Sequence, residues 1–326
     1  MNLLVLNTGS SSIKYTLFED NYKTKIFSGK VERIKDYSKA IKQILNELNN
    51  NELSFDIIAH RVVHGGELNK PSLITNKVEQ IIKKYSEFAP LHNPPALKVI
   101  RECKKLNKKQ YTVFDTAFFS DLPNKAKIYP IPLEITRKFN LKKYGFHGIS
   151  NKYVSQRLKG KTIVLHLGNG CSVSAINNTK PIDTSMGLTP LEGLMMGTRA
   201  GDIDAGLILF LEKKDYNMNE ILNFKSGFKG LTGYTDFRDI LKNIKNPKIK
   251  LAYDIFVYRI VKYVGAYIAV LNGLDNLVFT GAIGYNVPML RKNVLKNLSY
   301  LKNKFKVHVI KTDEEMQIAK EVFEII

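Results

Sequence analysis

Short apolar runs separated by turn-forming residues characterise the first part of the chain. Leu3 to Leu6 and Ile13 to Phe18 are rich in strand-forming residues, and Asn7 to Ser12 between them is rich in glycine and serine. This pattern predicts a strand, a tight turn and a second strand. Apolar residues recur at helical spacing in Ser38 to Leu48, and Asp56 to Val63 predicts another buried strand.

The second half of the chain repeats this opening. Thr162 to Leu167 predicts an apolar strand, Gly168 to Gly170 a tight turn, and Cys171 to Ile176 a second strand. Further on, Asn276 to Thr280 predicts a strand that runs into a glycine turn at Gly281 to Gly284. We therefore predict an α/β fold with two related domains that face each other across a cleft.

Two further segments place acidic residues at strand ends. Thr112 to Phe114 predicts a short strand that ends at Asp115, and Val307 to Ile310 predicts a strand before the helically spaced Asp313 to Phe323. Two carboxylates at strand ends, Asp115 and Glu314, are suited to a shared Mg²⁺ ion, which prefers one or two carboxylates together with water and substrate phosphates. Glu314 is equally suited to a helix N-terminus, where an acid is stabilising.

Composition narrows the class of protein. The chain has 326 residues, which suggests about two domains, and 44% of them are hydrophobic. Its apolar runs are too short to span a membrane, and Met1 to Lys14 does not resemble a secretory signal. Cys103 and Cys171 have no metal-ligand spacing, so a reducing cytoplasm is expected.

The formal net charge of +20 raises the question of nucleic acid or an acidic membrane surface. The lysines are spread along the whole chain, and no nucleic-acid motif accompanies them. We interpret them as solvated surface residues whose positive field attracts polyphosphate substrates, and we expect no nucleic-acid or membrane partner.

Three turns have the composition of phosphate-binding loops, which need backbone N–H groups and small residues. They are Asn7 to Ser12 followed by Lys14, His166 to Gly170, and Gly281 to Asn286. The first is equally compatible with an ordinary serine-rich hairpin, and its spacing is not that of a Walker A motif. Three such turns at strand ends favour a nucleotide site in a different fold.

Two arginines lie among apolar and small residues, Arg61 in HRVVHGG and Arg199 in MMGTRAGDIDAG. Arginine matches the equatorial oxygens of a phosphoryl group in transfer, and a structural ion pair is the alternative for each. His92, His147 and His166 lie near glycine, proline or aromatic residues. Such histidines can be satisfied core residues or donors to a phosphoryl group.

Nine segments together resemble the acetate kinase (acetokinase) family, and they follow the family's order from the N-terminus to near the C-terminus. They are NTGSSSIKY, HRVVHGG, PLHNPP, FDTAFF, YGFHGIS, HLGNGCSV, DTSMGLTPLEGLMMGTRAGD, FTGAIGYN and TDEEMQIA. The resemblance implies two RNase-H-like domains of the actin, sugar-kinase and heat-shock ATPase type. It also implies that the last helix returns to the first domain, and that the active protein is a homodimer. We predict domains at 1–117 plus 315–326 and at 118–314.

The resemblance further implies reversible phosphoryl transfer from ATP to acetate, with Mg²⁺, or Mn²⁺ in its place, as the metal. Asn7 and Glu314 would position the metal and Asp115 would be the catalytic carboxylate. Arg61, Arg199 and His147 would bind the transferring phosphoryl group, and Arg61 also the acetate. The acetate pocket would comprise Val63, Leu91, Phe146 and Pro190. The nucleotide contacts would come from Lys14, His166, Asn169, Gly170, Gly281, Ala282, Ile283, Gly284 and Asn286.

The chain departs from the family at three positions. The family usually has glycine at Ala282, glutamate at Tyr285 and histidine at Phe119. Ala282 is comfortable only with a negative φ angle. The chain also resembles a shortened member, with apparent deletions between Lys14 and Arg61 and between Asn286 and Thr312.

Three other functions compete with this interpretation. A propionate or butyrate kinase of the same family would differ only in its preferred acid. One methylene group in an apolar pocket is worth about 1–3 kcal/mol, so the sequence does not fix a modest preference among these acids. A nucleotide-binding module without catalysis is disfavoured by Arg61, Asp115, Arg199 and Glu314. A basic nucleic-acid binder is disfavoured by the dispersed lysines.

Overall fold

The computed structural model describes residues 1–9, 11–301 and 304–326. Its strands are β1 Leu3–Thr8, β2 Ser12–Phe18, β3 Lys25–Glu32, β4 Ile57–Val62, β5 Ser72–Leu73, β6 Lys109–Phe114, β7 Lys161–Leu167, β8 Cys171–Asn177, β9 Lys180–Thr184, β10 Asn276–Thr280 and β11 Lys306–Val309.

The α-helices are α1 Tyr37–Asn50, α2 Asn76–Lys84, α3 Asn93–Lys104, α4 Asn124–Lys127, α5 Leu133–Phe139, α6 Gly148–Ser155, α7 Ala205–Glu212, α8 Met218–Glu220, α9 Gly227–Thr232, α10 Phe237–Lys242, α11 Pro247–Leu271, α12 Gly281–Asn286, α13 Pro288–Asn297 and α14 Glu314–Phe323. Short 3-10 helices span Tyr85–Glu87, Asp115–Asp121 and Ser299–Leu301, and a π-helix spans Ile221–Lys225.

The chain divides into two compact units. The first unit contains Met1–Ser120, Phe146–Tyr153 and Asp313–Ile326, and the second contains Asp121–Gly145 and Val154–Thr312. The domain bounds expected from the sequence differ mainly at Phe146–Tyr153, which packs with the first unit, and they remain a prediction.

The first unit is built on a six-stranded sheet of order β3-β2-β1-β4-β6-β5. Strands β1, β2 and β3 are antiparallel neighbours, whereas β4 is parallel to β1 and β6 is parallel to β4. The carboxyl ends of β1, β4 and β6 therefore meet at one edge of the sheet.

The alternation of side chains along β1 explains why both faces of this sheet are covered. Leu4 and Leu6 pack in a cluster with residues of α1 and α3, whereas Leu3 and Val5 pack against Ile318 of α14. Successive strand residues point to opposite faces, and all four of these side chains are buried. Helix α14 is thus an integral part of the first unit's core.

The second unit repeats this topology without a counterpart of the edge strand β5. Its sheet has the order β11-β10-β7-β8-β9, with β7, β8 and β9 antiparallel and β10 and β11 added in parallel. The long helix α11, which begins at Pro247 and ends before a left-handed Asn272, packs on β7 and β8. The predicted pair of related α/β domains is confirmed, each with the strand arrangement of an RNase-H-like fold.

Most predicted elements are present with small shifts of their ends. One differs in kind, because the segment expected to be a glycine turn at Gly281 to Gly284 is the start of helix α12. Strands β3, β5 and β9 were not predicted. Of the helices in the described ranges, none is both long and apolar enough to cross a membrane.

Candidate functional site

Three parallel strands of the first unit bring a charged network together at their carboxyl ends. Asn7 lies near the end of β1, Arg61 near the end of β4, and Asp115 directly follows β6. The Nε and Nη2 atoms of Arg61 both donate to Oδ2 of Asp115, at 3.2 and 2.6 Å. Its Nη1 atom donates to Oδ1 of Asn7 at 3.1 Å. The crevice beyond such strand ends is a usual ligand site in α/β proteins.

Helix α14 adds two carboxylates to this network. Asp313 caps the helix by accepting from the N–H of Met316, and Glu314 and Glu315 occupy the first turn. The Asn7 amide donates to Glu314 Oε2 at 3.2 Å and to Glu315 Oε1 at 2.8 Å. Glu314 Oε2 also lies 3.8 Å from Nη1 of Arg61. The sequence prediction included Glu314 but missed Glu315.

Burial shifts the titration of the central pair. Desolvation raises the pKa of Asp115, and the positive charge of the neighbouring Arg61 partly offsets this rise. Desolvation would lower the pKa of Arg61, but the charges of Asp115 and Glu314 raise it overall. The Asp115 side chain is only 1% exposed, and its Oδ1 has no hydrogen-bond partner among the described residues. This buried carboxylate oxygen therefore has an unused acceptor position.

The start of helix α6 packs directly on the backbone of Asp115. A Cβ atom at Gly148 would lie 1.9 Å from the carbonyl oxygen of Asp115, so only glycine fits there. The preceding His147 has a positive φ of 58°, and its carbonyl accepts from both the backbone N–H and the side-chain amide of Asn151. Such a strained non-glycine residue is common at functional sites, and it is kept here by the close approach of α6.

The predicted acetate-pocket residues of the first unit are largely buried. Val63 is 5% exposed and Phe146 1%, whereas Leu91 is half-buried. Between them lies His64, whose ring contacts the Phe146 ring edge-on with centroids 5.6 Å apart. Apolar side chains of this kind are suited to the alkyl group of a small organic acid.

The first predicted phosphate turn is only partly described. Gly9 N–H donates to the carbonyl of Ser12 at 2.7 Å, which closes the turn, and Ser10 lies outside the described residues. Lys14 is exposed on β2 and pairs across the strands with Asn7. Lys14 therefore lies on β2, directly beside the strand β1 that contributes Asn7 to the charged network.

In the second unit, Arg199 has a different environment. Its Nη1 donates to the carbonyl of Pro190 at 2.7 Å, and no carboxylate of the described part of that unit forms an ion pair with it. Burial lowers the pKa of Arg199. Among the described residues of its unit, Arg199 therefore does not form the structural ion pair considered as an alternative.

Two polar groups fix the loop that carries Pro190 and Arg199. Asp202 accepts from the N–H of Gly193 at 2.7 Å and from the Tyr263 hydroxyl at 2.6 Å. Glu192 accepts from the Tyr129 hydroxyl and from Lys143 Nζ, the latter at 2.8 Å. Sequence reasoning missed these supporting residues, because only the fold brings Tyr129, Lys143 and Tyr263 to the loop.

The two glycine-rich segments of the second unit are neighbours. Strands β7 and β10 are parallel with His166 opposite Thr280, so the turn after β7 and the start of α12 lie side by side. Gly281 has a φ of 75°, and a Cβ atom there would lie 2.5 Å from the carbonyl of Leu167. Asn169 is exposed, and so are Ala282 and Asn286. Together these segments offer backbone amides to an anion.

The sequence departures in α12 are accommodated without strain. Ala282 is not among the residues with positive φ, which meets the condition under which alanine is tolerated there. Tyr285 is 39% exposed, and its carbonyl accepts from Arg291 Nη1 at 2.7 Å. Phe119, in contrast, is 1% exposed and belongs to the core.

Comparisons with known proteins agree on one family. The model of the acetokinase family matches residues 28–303. An acetate kinase of Carboxydothermus hydrogenoformans is 41% identical over 397 residues, covering 100% of this chain and 99% of the relative. The alignment is longer than the 326 residues of this chain, so the relative has segments that this chain lacks.

Solved structures give the same result. A propionate kinase of Francisella tularensis superposes with a TM-score of 0.93 at 36% identity, covering 98% of both chains. An acetate kinase of Porphyromonas gingivalis superposes with a TM-score of 0.89 at 35% identity, covering 99% of both chains.

Proposed function

Because this chain belongs to the acetokinase family, we propose that it is an acetate kinase, which transfers a phosphoryl group reversibly between ATP and acetate. The observation that carries the proposal is the network of Asn7, Arg61, Asp115 and Glu314 at the strand ends of the first unit. Phosphoryl transfer requires groups that position reactants and neutralise charge, and this network supplies both.

The chemistry assigns separate tasks to the charged residues. Acetate is already ionised at neutral pH, since carboxylic acids have pKa values of about 4, so its oxygen attacks the γ-phosphorus without a general base. Arg61 binds acetate and the transferring group, with Asp115 fixing the orientation of its guanidinium. Arg199 and His147 donate to the same phosphoryl group. Direct in-line transfer then needs no covalent enzyme intermediate.

The proposed acetate pocket consists of Val63, Leu91, Phe146 and Pro190. The first three are buried or half-buried side chains of the first unit. An apolar pocket of this kind favours a short alkyl group and excludes water from the acyl phosphate.

We assign the nucleotide phosphates to the backbone of the turn after β7 and the start of α12. The residues are His166, Asn169, Gly170, Gly281, Ala282, Ile283, Gly284 and Asn286, with Lys14 as a further cation. Adjacent backbone amides at strand ends support this assignment.

The donor atoms of the first unit fit a divalent metal such as Mg²⁺, or Mn²⁺. Glu314 and Asp115, whose Oδ1 has no hydrogen-bond partner among the described residues, offer the hard carboxylate oxygens that Mg²⁺ prefers. Asn7 donates to Glu314 and would help to position the metal, while its own side-chain oxygen accepts from Arg61. When bound, the metal would neutralise charge on the phosphates of the nucleotide. Excess chelator should therefore abolish turnover, and Glu314→Ala should raise the metal concentration required.

A propionate or butyrate kinase is the alternative, because a solved propionate kinase resembles this chain closely. The decisive experiment measures acyl phosphate as its hydroxamate with ATP, Mg²⁺ and each of acetate, propionate and butyrate. The highest kcat/KM with acetate supports the proposal, and a higher value with propionate or butyrate replaces it. No acyl phosphate from any of the three acids would refute kinase activity.

We also propose a cytoplasmic homodimer. Helix α7 is strongly apolar yet has no buried residue, with Leu209 60% and Phe210 57% exposed. Ala205 to Leu211 contains no charged residue in a chain of net charge +20, which suits contact with a second copy of itself. Light scattering should give twice the mass of 37.1 kDa, and Phe210→Glu should reduce it to that of a monomer.

A further inference from the structure

The side chain of Asn93 hydrogen-bonds to the backbone of two other segments of the first unit. Asn93 is fully buried at the start of helix α3. Its Oδ1 accepts from the N–H of His64 at 3.0 Å, and its Nδ2 donates to the carbonyl of His64 at 2.9 Å. The same Nδ2 donates to the carbonyl of Ile82 at 3.1 Å. One amide therefore satisfies both backbone groups of His64, just beyond the end of β4.

The ring of His64 is enclosed by aromatic side chains. It stacks on Tyr85 with ring centroids 4.9 Å apart, and it lies 5.8 Å from Phe88 and 5.6 Å from Phe146. A Cβ atom at Gly66 would lie 2.1 Å from the Tyr85 ring, so the double glycine after His64 permits this packing. The imidazole thus has little freedom to move independently of its backbone.

Each proposed pocket residue of the first unit is close to Asn93 or His64, either along the chain or by a ring contact. Val63 immediately precedes His64, Leu91 lies two residues before Asn93, and the Phe146 ring packs on the His64 ring. Movement of the Asn93–His64 pair would therefore shift all three side chains at once. We infer that Asn93 is a positioning residue that, through His64, sets the size of the pocket for the alkyl group of the acid and so the preference for acetate over longer acids.

The inference rests on the proposed function, because it needs those residues to bind the acid. It differs from a purely structural role in what it predicts. A purely structural asparagine would change the folded fraction and act equally on all substrates. A residue that fixes pocket size changes the ratio of kcat/KM between acids, because interior packing tolerates an added methylene only when its surroundings can give way.

The main variant is Asn93→Ser, which removes the amide from both His64 bonds. We expect kcat/KM for propionate relative to acetate to rise about tenfold, since one methylene in a pocket is worth 10–200-fold. The matched control is Asn276→Ser. Asn276 is also buried, and its side chain contacts Lys159, Thr162 and His308 of the second unit. The control should lose stability with an unchanged ratio.

A second variant tests the same idea if Asn93→Ser does not fold. Phe88 is half-buried, so Phe88→Leu should fold while loosening the packing around His64. A smaller change of the ratio in the same direction is expected. An unchanged ratio in the folded variants would overturn the inference. Absence of acyl phosphate from the unmodified protein would instead refute the proposed function itself.

Discussion

The two arginines proposed to bind the phosphoryl group occupy opposite electrostatic environments. Arg61 in the first unit is paired with Asp115 and lies 3.8 Å from Glu314, so its charge is neutralised within the protein. Arg199 in the second unit donates to the carbonyl of Pro190, and burial lowers its pKa. A buried cation without a carboxylate is costly unless an anion arrives from outside. In the proposed site Arg199 would obtain its counterion from the ligand, whereas Arg61 has one within its own unit.

The two units show that equal topology does not impose equal chemistry. Both sheets contain three antiparallel strands followed by two parallel ones, and the first sheet has the antiparallel edge strand β5 in addition. In both, residues proposed to be functional follow parallel strands. The first unit presents charged side chains at these strand ends, whereas the second presents the glycine-rich backbone around Gly281.

The largest effect is expected for Arg199→Ala. Because Arg199 has no carboxylate partner in the part of its unit that the structure describes, its removal should leave the melting temperature nearly unchanged. An arginine that stabilises transition-state charge is worth about 10³–10⁵ in rate, so kcat should fall by that factor with nucleotide Kd little altered. Arg199→Lys should also be strongly impaired, because it loses the planar fork.

The control for this comparison is Arg238→Ala, which removes an arginine that is 90% exposed. Its kcat should remain normal. A folded Arg199→Ala protein with near-normal kcat would show that Arg199 has a structural role, and the contrast between the two arginines would fail.

Arg61→Ala should behave differently, because it leaves Asp115 buried without its partner. Breaking one side of a buried ion pair costs about 3–5 kcal/mol, so we expect a loss of that size in the free energy of unfolding, together with a loss of kcat. Denaturant unfolding measures the first and steady-state kinetics the second. The double variant Arg61→Met with Asp115→Asn should recover stability without activity. Equal stability of Arg61→Ala and the unmodified protein would contradict the pairing.

A third prediction concerns the buried imidazole beside Arg61. Desolvation lowers the pKa of His60 to about 4, although its Nε2 lies 2.7 Å from Gln110 Oε1. The unfolded chain binds a proton near pH 6.5 and the folded chain only near pH 4, so stability falls as the pH falls between these values. The loss attributable to His60 should be about 3 kcal/mol. His60→Leu should weaken this pH dependence, measured by denaturant unfolding at each pH.

The smallest effect is expected for Ala282→Gly at the start of α12. Ala282 is exposed with an ordinary backbone conformation, so the substitution should cost only about 0.5–1 kcal/mol of stability. The KM for ATP should be almost unchanged if the backbone supplies the contacts. A large change in KM would show that the methyl group itself matters.

The sequence predicted those parts of the fold whose signals are local. The hairpins β1–β2 and β7–β8 and helix α14 follow from apolar runs and periodicity. Helix α12 was missed because Gly281 and Gly284 resemble a turn in sequence, whereas Gly281 serves close packing on Leu167. The roles proposed for the site residues came from the family resemblance and remain predictions.

Supporting residues could not be predicted for a physical reason. Asn93 and Glu192 act through hydrogen bonds to residues far away in the chain, such as His64 and Tyr129. No periodicity encodes such bonds, because they depend on how elements pack. Glu315 was within reach of sequence reasoning, since it directly follows Glu314 in the first turn of α14.

The return of helix α14 to the first sheet has a consequence for biosynthesis. Ile318, Ala319 and Val322 are completely buried against strands made near the start of the chain. The whole second unit is translated between those strands and α14. While the ribosome makes the second unit, one face of the first sheet must therefore remain unsealed. Glu314, the carboxylate proposed to hold the metal, and the final core helix arrive together, so the first unit acquires the last member of its charged network only as its folding is completed.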